Sequence, residues 1–301
     1  MTIAILGGLD DDHASFMLQH LTQKGQDAIL LDSRRFPNEL RLTLDPRSDQ
    51  WTIHLPGGRR VNQGEIRAIY WRCYSGIPHP GLPNEEQAFI AQNDARSLFE
   101  SFLVTYPTRW VNGWNGYQLH QTKPAALRIA SSLGVPVPAT CLTNDPQAVQ
   151  EFAASHPRSI FKPIQGGAHT RPLSPRHLAV ENLAHLRFAP VTVQEKIPGT
   201  NIRVFVAGEE VLACEVQSES LDFRDTPDPR IIPHDLPDSI AKQSGRIAQE
   251  LHLIWTGMDF RLTPDGNYVF LEANPSPMFL GFESRSGLPL TDALTRLLIQ
   301  G

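Results

Sequence analysis

The chain has 301 residues, 41% of them hydrophobic and 20% charged, with 27 Lys and Arg against 32 Asp and Glu for a net charge of -5. That apolar content suffices for two or three units with cores of their own. The charge balance excludes a solvated acidic tail, a basic nucleic-acid arm and a disordered chain.

Residues 2–6 read as a short strand ending at Gly7-Gly8. Residues 14–23 read as a helix with Phe16, Met17, His20 and Leu21 at helical spacing and Gly25 as its stop, and 28–31 as a second strand. Strand, helix, strand at this spacing predicts a parallel α/β unit. The string Asp10-Asp11-Asp12-His13 lies at a strand's carboxyl end, where α/β folds bind ligands. A helix cap is its favoured reading. Further strands follow at 51–55 and 65–71, with a turn at Pro56-Gly57-Gly58, then a long helix at 85–103. A boundary in 106–112 closes an N-terminal unit of residues 1–112.

A second unit, 113–190, opens with WNGYQLHQTKPAALRIASSLGVPVP. Thr122 can cap a helix with Pro124 in its first turn, and Gly134 ends it. A helix at 147–155, a strand at 159–163 and the loop 165–170 with Gly166-Gly167 follow. The third unit, 191–301, begins with a strand at 191–195 and a hairpin of 203–206 with 211–216. It continues with a helix at 238–251, strands at 257–262 and 268–274, and a closing helix at 291–299. Cys73, Cys141 and Cys214 have neither CxxC nor Cys/His metal spacing, and their odd number argues against a disulfide framework. The start MTIAILGGLDDDH has no basic region, and no run reaches the ~20 apolar residues of a membrane span. The expectation is a soluble, cytoplasmic protein that binds neither nucleic acid nor membrane.

The most informative stretch is GMDFRLTPDGNYVFLEANPSP. A four-residue loop, 264–267, pairs Thr263 with Tyr268, Arg261 with Phe270 and Asp259 with Glu272. Alternation then sets Asp259, Glu272 and Asn274 on one face. Opposed carboxylates repel, and apolar neighbours (Phe260, Val269 and Leu271) raise the cost of burying them. A hard cation removes that cost, and two carboxylates with an amide suit Mg2+. A solvated outer face is the alternative.

Lys162 stands on a strand just before Gly166-Gly167, where backbone N–H groups can approach a phosphate. A solvated lysine beside an ordinary turn fits the same residues. Lys123 lies at a helix start, where the macrodipole repels a cation, so it needs solvent or an anion. Asn201 and Arg203 share a strand face. A guanidinium in so apolar a strand calls for a carboxylate or phosphate, or for a salt bridge to Glu215 across the hairpin. Arg224 has Asp222 and Asp225 beside it, which can pair it locally. GxxxxGK[ST], GxGxxG, GxSxG and HExxH are all missing, so two common nucleotide folds and a nucleophile constellation are disfavoured.

In order, QTKPAALRIASSLGVPVPATCLTNDP, FKP with its Gly loop, VQEKIPGTNIRVFVAG, SLDFRD, and GMDFRLTPDGNYVFLEANPS followed by SGLPL resemble the ATP-grasp superfamily in its RimK-like branch. The nearest likeness is to the maturases that crosslink ribosomal peptides, the graspetide and microviridin type, and it covers residues 70–290. The resemblance implies an α/β plus α+β protein in which a pre-ATP-grasp α/β domain precedes two α+β subdomains that hold ATP between them. It implies that Lys123 and Lys162 hold ATP phosphates. Gln194, Glu195, Lys196 and Ile197 would border the adenine, with backbone groups of Lys196 and Ile197 reading its edge. Arg203 would contact the γ-phosphate and the acyl group, and Arg224 matches an arginine of the peptide maturases. Asp259, Glu272 and Asn274 would hold two Mg2+ ions. The implied reaction activates a carboxylate of a peptide or amino acid as an acyl phosphate and joins it to an amine or hydroxyl. A kinase acting on a small-molecule alcohol is the alternative, and homo-oligomers are common among relatives. Three departures stand out. Asn201 replaces a frequent acidic residue, 163–193 is short, and 276–283 replaces a Trp-rich stretch, so a different acceptor pocket is expected.

Overall fold

The computed structural model describes residues 1–165, 168–218 and 228–300. Its first part comprises β1 (Thr2–Leu6), α1 (Asp12–Gln23), β2 (Ala28–Leu31), β3 (Arg41–Asp45), β4 (Gln50–His54), β5 (Arg60–Asn62), β6 (Ile66–Trp71), α2 (Glu85–Thr105) and β7 (Arg109–Val111). A parallel sheet runs β2-β1-β6-β7. All five residues of β1 are buried, the pattern of a parallel strand covered on both faces. Its side chains alternate between two cores. Ile3 and Ile5 face α1 and the C-terminal helices, whereas Ala4 and Leu6 face α2 and the antiparallel meander β3–β4–β5. Asp11 caps α1 through Ala14 N–H at 2.8 Å, the reading favoured for the acidic string.

The middle part holds α3 (Trp114–Gln121), α4 (Pro124–Ser132), β8 (Thr140–Thr143), α5 (Pro146–Ser155), β9 (Ser159–Lys162), β10 (Arg171–Pro172), α6 (Val180–Leu183) and β11 (Val191–Glu195). Its antiparallel sheet runs β10-β9-β11-β8. One expectation changes here. The Thr122 hydroxyl donates back to the Leu119 carbonyl at 2.9 Å, so it closes α3 and does not cap α4, where Lys123 takes the N-cap position. The strand expected at 191–195 forms as β11. It pairs with both β8 and β9, which carries the second sheet to residue 195. Alternation shows which face of a strand is apolar and says nothing of which sheet it joins.

The last part contains β12 (Thr200–Ala207), β13 (Glu210–Gln217), β14 (Arg230–Pro233), α7 (Asp238–Glu250), β15 (Trp255–Leu262), β16 (Tyr268–Asn274), α8 (Leu280–Ser286) and α9 (Leu290–Ile299). Its antiparallel sheet runs β14-β13-β12-β15-β16. Ile202, Val204 and Val206 of β12 pack with Ala130 of α4 and Ile247 of α7, while Phe205 and Ala207 share a core with Ile3 of β1 and Leu294 of α9. The third sheet thus packs toward the N-terminal sheet on one face and against α4 and α7 on the other. Among the described residues, no helix is long and apolar enough to cross a membrane.

His13 lies in the core that joins the two ends of the chain, with its ring 4.8 Å from Phe279. Burial, then the Arg72 cation, pushes its imidazole down to about 4. The unfolded chain therefore takes up this proton at a higher pH than the fold does, and stability must rise with pH between about 4 and 6.5. Urea unfolding across that window is expected to show this slope in the wild type and a shallower one in His13→Gln.

Candidate active site

The β15–β16 hairpin carries the acidic residues by a route that the sequence did not disclose. Its connection is one residue longer than expected, because Leu262 pairs with Tyr268, Arg261 with Val269 and Phe260 with Phe270. The expected pairs Thr263–Tyr268 and Arg261–Phe270 are therefore off by one. A bulge after Asp259 takes up Leu271 and restores the pairing of Asp259 with Glu272. Without it, a one-residue slip would turn Glu272 to the other face.

Positive charge reaches this pair from three separate elements. Burial alone would raise the Glu272 carboxyl's pKa. The cations of Lys123, Lys162 and Arg203, with a hydrogen bond from Asn274, outweigh it and hold the group below the usual carboxylate range. Asn274 Nδ2 lies 3.2 Å from Glu272 Oε1, and Arg203 Nη1 donates to Asp259 Oδ1 at 2.7 Å. Lys123 comes from the start of α4, Lys162 from the end of β9 and Arg203 from β12. Glu215 pairs with Ile202 across the hairpin, while Arg203 pairs with Cys214. Glu215 therefore lies on the opposite face, and Asp259 takes the place offered to it as Arg203's partner. Among the described residues, no three His, Cys, Asp or Glu cluster as a metal site, so the candidate set consists of two carboxylates and an amide.

Arg203 is deeply placed, with 8% of its side chain exposed. Its guanidinium carbon lies 5.2 Å from the Phe282 ring centroid, a cation–π distance. Its Nε is buried with no hydrogen-bond partner among the described residues. Gly257 makes the room, since a Cβ there would lie 2.8 Å from Pro277 Cβ and 3.2 Å from Arg203 Nε. Beside it, Arg261 Nη1 donates to Asn201 Oδ1 at 2.8 Å.

A cleft of about 230 Å3 opens next to Asn274, bounded by Arg72, Tyr74, Tyr117, His120 and Ser276 among others. Arg72 Nε donates to both Asp11 oxygens, at 2.9 and 3.1 Å, and its Nη1 to the Ser276 carbonyl at 2.7 Å. Tyr117 stacks on Trp71 at 4.8 Å. Burial, then Lys123, pushes the His120 imidazole down to about 4, against the opposing pull of Glu272. Of these wall residues only Ser276 lies in a stretch, 276–283, that the sequence singled out for the acceptor pocket. One signal was available, since Arg72 follows β6 at the carboxyl edge of a parallel sheet.

On β11 the Gln194 carboxamide donates to Thr140 Oγ1 at 2.9 Å. The Lys196 N–H donates to the Arg158 carbonyl at 2.8 Å, so that donor is not open to a base edge. Glu195 is tied to Ala139 through its own N–H at 2.9 Å. Ile197 is half-buried just beyond the strand. Arg224, Gly166 and Gly167 lie outside the described residues.

Lysines from β9 and the start of α4 thus act on an acidic hairpin of another sheet, with an α/β unit alongside. No protein-family profile and no curated protein matches the sequence. Solved structures do match. The ATP-grasp ligase PsnB complexed with minimal precursor, Mg and ADP is 31% identical with a TM-score of 0.81, over 98% of this chain and 97% of that one. The macrocyclase MdnC from Microcystis aeruginosa MRC, bound with precursor peptide MdnA, shares the fold at 24% identity and a TM-score of 0.86, over 100% of both chains. A RimK-domain ATP-grasp protein of Sphaerobacter thermophilus DSM 20745 shares it at 16% identity and a TM-score of 0.60. The chain belongs to the ATP-grasp ligases. It is an ATP-dependent ligase that joins a carboxylate to a nucleophile, and the kinase alternative is not favoured.

The Gly257→Ala variant is expected to lose about 1–3 kcal/mol of stability through overpacking and to displace the Arg203 guanidinium. Thermal unfolding and ligase turnover check this, and wild-type turnover would contradict the part given to Gly257.

Proposed function

We propose that this ligase modifies peptides, activating a side-chain carboxylate as an acyl phosphate and passing it to an amine or hydroxyl. One observation carries the reading: Lys123, Lys162 and Arg203 all act on Glu272, opposite Asp259. Two carboxylates against three cations leave positive charge to spare, which suits a polyphosphate. The peptide substrate is supported by PsnB and MdnC, which were solved with a minimal precursor and with MdnA.

Asp259, Glu272 and Asn274 would hold two Mg2+ ions, because their oxygens are the donors that a hard cation takes. Bound Mg2+ supplies a counter-charge to the phosphate oxygens during transfer. Lys123 and Lys162 bind the phosphates. Arg203, with a buried Nε unpartnered among the described residues, contacts the γ-phosphate and the acyl group. Arg224 is kept as the second catalytic arginine on its sequence motif alone. Gln194, Glu195, Lys196 and Ile197 border the adenine, with the Lys196 carbonyl and Ile197 N–H as the backbone groups left for its edge. The cleft beside Asn274 receives the acceptor, and its aromatic walls keep out water that would hydrolyse the activated ester. The free cysteines Cys73, Cys141 and Cys214 support a cytoplasmic location.

Glu272→Ala is expected to abolish ADP release from Mg-ATP while leaving the circular dichroism spectrum unchanged, and wild-type turnover would refute the site. Lys162→Ala should weaken ADP binding roughly tenfold by titration calorimetry, from the loss of one charge-assisted contact. Mass spectrometry of a carboxylate-bearing peptide separates the chemistries. Loss of water on crosslinking is expected, and a stable phosphorylated product would sink the ligase reading.

A further inference from the structure

We propose that Asn112 is a positioning residue for the cation-binding hairpin, holding Asn274 in place from the N-terminal unit. Asn112 follows β7 and is 3% exposed. Its Nδ2 donates to the Trp255 and Pro275 carbonyls, at 2.7 Å each. Its Oδ1 accepts from the Ile254 and Trp255 N–H groups at 2.8 and 3.1 Å. A carboxamide has two donor hydrogens and two acceptor lone pairs, so this one is saturated.

The four bonds join two places that matter. Trp255 begins β15, the strand of Asp259, and Pro275 directly follows Asn274, the last residue of β16. The ladder between these strands ends where Gly257 pairs with Asn274. Beyond that rung the sheet no longer holds the chain, and Asn112 takes over. Two further ties reach the same loop, from Arg72 to the Ser276 carbonyl at 2.7 Å and from the Ser276 hydroxyl to the Trp71 carbonyl at 3.0 Å. Asn274 itself is tied within its own hairpin, through Thr256 Oγ1 to its carbonyl at 2.8 Å and through its side chain to Glu272, while the chain that leaves it is held by a different unit. Groups that orient a metal ligand change metal affinity about 10–100-fold when removed. The inference rests on the reading of Asp259, Glu272 and Asn274 as cation ligands.

The test is direct binding of Mn2+ to the full chain in the presence of ADP, read from the electron paramagnetic resonance signal of free Mn2+. Asn112→Asp keeps the shape and removes both donors. It is expected to weaken Mn2+ about tenfold, and Ser276→Ala to weaken it by a smaller factor. Thr295→Val serves as the stability control, because it removes a buried hydroxyl bond to the Thr291 carbonyl inside α9 and should leave Mn2+ affinity unchanged. Unchanged affinity in Asn112→Asp, with Glu272→Ala defective, overturns the positioning role. Unchanged affinity in Glu272→Ala overturns the cation site itself, and the positioning role with it. If Asn112→Asp does not fold, Ser276→Ala decides, and wild-type affinity there counts against the proposal. Equal weakening in Thr295→Val would reduce the effect to general destabilisation and also overturn it.

Discussion

Glu272 faces Asp259 across a hairpin, and the rest of the site is organised around the cost of that pair. Opposed carboxylates repel, and partial burial takes away the water that would screen them. Three cations from outside the hairpin answer the cost and keep Glu272 ionised. Breaking a buried pair by removing one partner typically costs about 3–5 kcal/mol. The same charges that stabilise the fold here are therefore the charges that would meet a ligand.

The arrangement also accounts for what the site lacks. No serine or cysteine nucleophile with an adjacent base was found in the sequence, and the architecture does not require one. Positioning and charge stabilisation serve phosphoryl and acyl transfer without protein covalent chemistry. Arg203 sits close because Gly257 has no side chain to exclude it. The neighbouring cleft forms where the end of β6 meets the loop after β16, so the N-terminal sheet becomes part of the site through Trp71, Arg72 and Asn112.

Much of this was legible in the chain. Helices α1, α2, α5, α7 and α9 and the hairpin strands follow from periodicity and turn residues, and the ordered motifs named the family. The misses have physical causes. β3 does alternate, with Leu42 and Leu44 turned inward between exposed Arg41, Thr43 and Asp45, and that signal was passed over, whereas β5 has only three residues, too few for a period to show. α3 was hidden because Thr122, a strong cap signal, ends one helix instead of starting the next. The bulge at Leu271 leaves no mark in a residue pattern, and the Asp259–Glu272 pairing was reached through a loop length that was itself one residue short.

The sequence by itself determined most of the helices, the pairing of Asp259 with Glu272 and the shared face of Asn201 and Arg203, since these depend on local period and residue chemistry. Only the tertiary structure decided Arg203's partner, the sheet that β11 joins, and the making of the cleft from Arg72, Tyr117 and His120. These are contacts between segments tens to hundreds of residues apart. They depend on which sheet each strand joins and on how buried charge finds its counter-charge, and neither is written in any local stretch of chain.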